Sequence, residues 1–109
     1  MEKLKSDIFF GDEKVRKLFL KSKSDKKIIK WLSRAFEDLE KNPFSGIQIP
    51  KKLIPKEYKK RFGKLNNLWK YNLPDAWRLI YTIKRDDVII LSIILEWMPH
   101  KEYNKRFKY

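Results

Sequence analysis

The sequence predicts an α+β domain in which two N-terminal helices pack on a small antiparallel sheet and a short helix closes the chain. Three observations carry this. Ile28, Leu32, Ala35 and Leu39 recur at helical spacing, with Trp31 and Phe36 widening the stripe and charge on the far side. After Leu68 the period shortens to that of strands. A continuous apolar run, Val88 to Leu95, then reads as the best-covered strand of the sheet.

Taken in order, Ile8-Phe9-Phe10 forms either a short strand or a hydrophobic lead-in. Asp12 is placed to cap a first helix bearing Val15, Leu18 and Phe19. Lys21–Asp25 interrupts the pattern, and Ser24 opens the second helix, which Asn42-Pro43 ends because proline lacks an N–H. Five residues (Pro43, Gly46, Pro50, Pro55 and Gly63) make 43–66 a connector, with one helical turn around Lys56–Arg61. Leu68–Leu73 reads as a strand, Pro74-Asp75 as a turn. Trp77, Leu79, Tyr81 and Ile83 then share one strand face, with Arg78, Ile80 and Thr82 on the other. Arg85-Asp86-Asp87 turns the chain into the apolar strand. Pro99 opens the last helix, where Tyr103 and Phe107 lie four apart. The expectation is a three-strand meander within a single domain spanning 1–109.

Composition narrows the function. There are no cysteines, so disulfide scaffolds, thiol nucleophiles and thiolate metal sites drop out. One histidine and an excess of positive charge disfavour a metal centre, and no cofactor is expected. No apolar run is long enough to span a membrane, and Met1–Lys5 leads into no signal-peptide core, so a cytoplasmic protein is expected. The formal charge is +13, and residues 51–70 alone carry +7. In that block Lys51, Lys52, Lys59, Lys60, Arg61, Lys64 and Lys70 are candidate RNA-binding residues, since clustered cations attract phosphates without sequence preference. An acidic protein segment would be attracted in the same way.

Three side chains point to chemistry. Arg78 interrupts an apolar strand, where its charge is costly unless it meets water, an anion or a carboxylate such as Asp75. His100 is the only histidine, and Tyr103 follows one helical turn later. Metal-free RNA cleavage, in which a 2′-hydroxyl attacks the adjacent phosphorus, calls for these residue types. A histidine exchanges the proton, an arginine grips the phosphate and a tyrosine supports it. Glu96, close to His100 in sequence, is a candidate for a base or a supporting carboxylate. The bland readings are a capping histidine, an ion-paired arginine and a Tyr103–Phe107 docking stripe.

The stretch Asn42-Pro43, Leu68-Trp69-Lys70-Tyr71-Asn72-Leu73, Trp77-Arg78-Leu79-Ile80-Tyr81-Thr82-Ile83, the apolar strand and His100-Lys101-Glu102-Tyr103 resembles the RelE/ParE superfamily of toxins from toxin–antitoxin modules. The likeness spans roughly residues 28–107. It implies a small α+β fold and, for RelE-like members, metal-free cleavage of mRNA on the ribosome, with an acidic antitoxin as partner. It places Arg78 on the family's phosphate-binding strand arginine and His100 and Tyr103 on its C-terminal histidine and tyrosine. Lys64 and Lys70 are the nearest counterparts of the RelE lysines, and Glu57 of the base in the YoeB-like branch. Two alternatives stay open: a ParE-like gyrase-binding toxin, and a catalytically silent basic homologue that only binds nucleic acid.

Overall fold

Aspartates start both N-terminal helices. In the computed structural model, which describes residues 5–86 and 88–107, the Asp12 carboxylate accepts from Val15 N at 2.9 Å and opens α1 (Glu13–Ser22). Asp25, rather than the expected Ser24, caps α2 (Lys26–Lys41) by accepting from Lys27 N and Ile28 N. Ser24 is instead tied back to Lys21 O by its own hydroxyl. Helix α2 ends at Asn42, as the proline predicts, and Pro43 begins a single 3-10 turn. The expected opening at residues 1–4, and Asp87 of the predicted turn, lie outside the described residues.

The α+β class stands, but the sheet is larger than a three-strand meander and is mixed. Its five strands are β1 (Asp7–Phe10), β2 (Ile47–Gln48), β3 (Trp69–Asn72), β4 (Trp77–Asp86) and β5 (Ile89–Pro99), in the order β1-β5-β4-β3-β2. Ile8-Phe9-Phe10 is therefore a strand, and it runs parallel to β5. Its position is set by buried polar contacts: Ser6 Oγ donates to Leu39 O at 2.7 Å and meets Ser92 Oγ at 2.8 Å. Strand β2 forms inside the proline-rich connector by pairing with β3.

The helices also cover both faces of the sheet, where the sequence suggested one. On the first face Val15, Leu32, Ala35 and Leu39 bury against Leu79, Tyr81 and Ile94, with Phe10, Phe19 and Phe36 in mutual ring contact. On the second, α3 (Lys56–Phe62) and α4 (His100–Phe107) bring Tyr58, Tyr103 and Phe107 onto Ile80, Leu95 and Met98. The expected turn at Lys56–Arg61 is thus a short helix with a core of its own beneath it.

One irregularity decides which side chains reach that second face. Ile80 pairs with Glu96 but Tyr81 pairs with Ile94, leaving Leu95 as the extra residue of a β-bulge. Ile94 faces α2, whereas Leu95 and Glu96 both turn toward α3 and α4. Strand β5 also runs four residues past its expected end. Glu96 is consequently within the strand, Pro99 is its last residue and His100 begins α4.

Two outcomes follow. Asp12→Ala removes the α1 cap and the ion pair to Arg61, whose Nε lies 2.7 Å from the carboxylate. Urea unfolding is expected to show a loss of about 1–2 kcal/mol, mostly the cap, because solvent screens the bridge. Arg61 holds the Asp12 carboxyl below its ordinary range. The difference between wild type and variant is therefore full at neutral pH and shrinks as pH falls through the lowered value. Tyr81→Phe leaves Pro43 O and Gly46 N without the buried hydroxyl that contacts them at 2.7 and 3.1 Å. It is expected to cost about 1–3 kcal/mol in the same assay.

Candidate active site

Strand alternation puts Arg78 on the α4 side of the sheet, with Ile80 and Thr82, as the sequence predicts. Lys70 stands directly across from Ile80 on β3 and shares that face. Trp77 pairs with Pro99 and Arg78 with Met98, so α4 starts beside the strand carrying Arg78. The structure thereby brings Arg78, Lys70, Tyr103 and the His100 end of α4 to one end of the sheet.

Tyr103 is the hub of this cluster. Its ring is 2% exposed, stacks on Phe107 at 4.5 Å, and has Lys70 Nζ at 5.0 Å and the Arg78 guanidinium carbon at 5.9 Å from its centroid. A ring so enclosed offers no face to a nucleobase; it holds the two cations by their attraction to its π-system. Arg78 meets no carboxylate among the described residues, and Asp75 is not its partner. Its Nη1 donates to Trp77 O at 3.2 Å, while Nε is buried with no hydrogen-bond partner among the described residues. Such a donor is costly until an anion accepts from it. The strand is interior to the sheet, so the arginine is not an edge residue free to turn away.

His100 is exposed as the first residue of α4, its Nε2 3.0 Å from Asn104 Nδ2 one turn on. Immediately before Arg78's strand, Asp75 (φ 55°) and Ala76 (φ 61°) are both left-handed, a conformation that costs an alanine on the order of 1 kcal/mol. These two residues set the angle at which the chain enters β4.

The two candidate carboxylates lie in a different cluster. Glu96 accepts from Arg106 Nη1 with both oxygens, at 2.7 and 2.6 Å, and from the Tyr58 hydroxyl. Glu57 is 3.6 Å from the same guanidinium and 70% exposed at its side chain. Arg106 is raised above its ordinary value: burial alone would lower it, and the Glu96 contact outweighs that. Burial, reinforced by the Glu96 charge, likewise drives the Tyr58 hydroxyl far upward. This clasp ties α4 to α3 and β5, and it leaves Glu96 committed as an acceptor. Sequence reasoning missed Arg106 and Tyr58. The only signal was their place on the apolar-stripe helices, which says nothing about a shared carboxylate.

The basic block is spread over several elements. Lys51 and Lys52 sit on an exposed 3-10 turn, and Lys59 and Lys60 are exposed on α3. Arg61 is drawn off to Asp12. Lys64 lines a separate groove, and only Lys70 joins Arg78. Among the described residues no cluster of histidine and acidic side chains could hold a metal ion.

Arg106→Met should unpair Glu96 and loosen α4. About 1–3 kcal/mol of stability is expected to be lost, since Glu96 is only 20% exposed. Adding Glu96→Gln should restore much of that loss in thermal unfolding, because the stranded charge is then gone.

Comparison with known proteins adds to this geometry. The family model described as "ParE toxin of type II toxin-antitoxin system, parDE" matches residues 13–95, a span that includes Glu57, Lys70 and Arg78 and stops before Glu96, His100 and Tyr103. Toxin YoeB of Streptomyces coelicolor is 29% identical over 71 residues, covering 65% of this chain and 75% of the relative. No solved structure matches. No helix among the described residues is long and apolar enough to cross a membrane. A match over most of the chain makes this chain a member of the ParE toxin family of type II toxin–antitoxin systems, within the RelE/ParE superfamily.

Proposed function

We propose that this toxin is a metal-free endoribonuclease that cuts mRNA on the ribosome and so stops translation. The observation that carries the reading is Arg78. Its guanidinium is fixed by an interior strand, with no carboxylate and no acceptor for its buried Nε among the described residues, and a second cation, Lys70, is held over the same tyrosine ring. A phosphodiester would accept from the Arg78 guanidinium and lie beside the Lys70 charge.

In the reaction the ribose 2′-oxygen bonds to the adjacent phosphorus and loses its proton. The bond from phosphorus to the 5′-oxygen breaks and that oxygen gains a proton, leaving a 2′,3′-cyclic phosphate and a 5′-hydroxyl. Arg78 and Lys70 stabilise the extra negative charge on the phosphorane. His100 exchanges a proton at one of the two oxygens, and Asn104 orients its ring. Tyr103 acts as a positioning residue beneath the cations, and Glu96 keeps α4 seated. The partners are mRNA, the ribosome and a cognate antitoxin, the last implied by the family itself.

A second reading has a specific observation behind it. The matching family model is that of ParE and ends short of His100, as a toxin acting by binding DNA gyrase would allow. One experiment separates the two. In a ribosome-based translation extract, wild type is expected to inhibit, Arg78→Ala and His100→Ala each to be weaker by about 10²-fold or more, and Lys17→Ala, at an exposed position of α1, to behave as wild type. Unimpaired translation with folded wild type, accompanied by inhibition of gyrase supercoiling, would assign the ParE-like activity instead.

A further inference from the structure

Of the six arginines, Arg16, Arg34, Arg61 and Arg106 are each ion-paired to a carboxylate. The remaining two, Arg78 and Arg85, lie at opposite ends of β4, about 23 Å apart along an extended strand. Arg85 lines a groove of about 650 Å³ with Lys64, Asn66, Thr82 and Lys84. The three cations come from two segments, the loop after α3 and the far end of β4. None has an ion-pair or hydrogen-bond partner among the described residues, and no described carboxylate lines the groove. Its wall is built: Asn67 donates to Ile83 O and accepts from Ile83 N and Thr82 Oγ1, pinning the loop to β4 where β3 no longer pairs with it.

We infer that this groove is a second RNA-backbone site, taking phosphates of the strand that flanks the linkage held at Arg78. The inference rests on the ribonuclease reading for its orientation. Its exposed lining residues are Lys64, Asn66, Lys84 and Arg85, all polar or cationic. Beneath them Leu95 is 1% exposed, while Phe62, Leu65, Ile83 and Ile93 are half-buried, and the Arg61 guanidinium lies 4.8 Å from the Phe62 ring centroid. The fully exposed groups of the groove are thus charged or polar, which suits phosphates and makes the contact indifferent to sequence. Thr82 and Lys84 share the sheet face of Arg78, and Arg85, which alternates to the other face, borders the groove at the strand end, so one extended polyanion crossing the covering helices could engage both ends of β4.

The test uses a fluorescent 2′-O-methyl oligouridylate of about ten nucleotides, which cannot be cleaved because its attacking hydroxyl is blocked. Lys64→Ala/Lys84→Ala/Arg85→Ala, with its fold checked by circular dichroism, is expected to bind about tenfold or more weakly at moderate salt. The slope of log affinity against log salt should fall by about 2, the value for three single-strand phosphate contacts. Arg78→Ala should keep most of that groove-dependent slope. An unchanged affinity and slope in the triple variant would overturn the inference. So would loss of binding to a Glu/Leu amphipathic peptide with RNA binding intact, which would make the groove a protein site. Groove-dependent binding by a wild type that does not inhibit translation would uphold the site and reject the nuclease reading alone.

Discussion

The arrangement of the candidate site depends on one extra residue in β5. Side chains of a strand alternate, so a bulge at Leu95 exchanges the faces of everything that follows it. With the bulge, Glu96 and Met98 point to the α3–α4 side, where the first is clasped by Arg106 and the second packs in the core with Tyr103. Without it the same residues would face α2, and the helix that starts at His100 would leave the sheet on the wrong side of Arg78. The proximity of Tyr103 to the guanidinium is therefore a consequence of strand parity. The local sequence around either residue does not contain it.

Electrostatics shows a second kind of sorting. The chain carries a large excess of positive charge, but folding does not leave its cations equivalent. Arg61 and Arg106 are neutralised by Asp12 and by Glu96 with Glu57, and these pairs fasten α1 to α3 and α4 to β5. Arg78, Lys64, Lys84 and Arg85 are left without carboxylates among the described residues, on concave or half-buried ground. A repulsive cluster of that kind weakens the isolated fold and is offset when an anion binds. The pairing pattern thus identifies which cations stabilise the protein and which are available to a ligand.

Much was readable from the chain in one dimension. The Asp12 cap, the α2 stripe and its end at Asn42-Pro43 depend on contacts within a few residues, so spacing and residue chemistry specify them. The alternation that sets Arg78 beside Ile80 and opposite Trp77 is equally local, as is the one-turn interval between His100 and Tyr103. Other features needed partners far away. Ile8–Phe10 became a parallel strand because Ser6 meets Leu39 and Ser92, more than thirty residues distant in both cases. Glu57 and Glu96 are brought to one guanidinium from the last helix, which their spacing along the chain does not indicate.

Periodicity, capping and proline chemistry thus delimited the helices and assigned Arg78 its face, because those properties arise from neighbours along the backbone. The parity shift at Leu95, the partition of the arginines and the convergence of Lys64 with Lys84 and Arg85 were decided by folding. Each arises from groups brought together across the sheet, and no short-range rule encodes which carboxylate or which loop will arrive there.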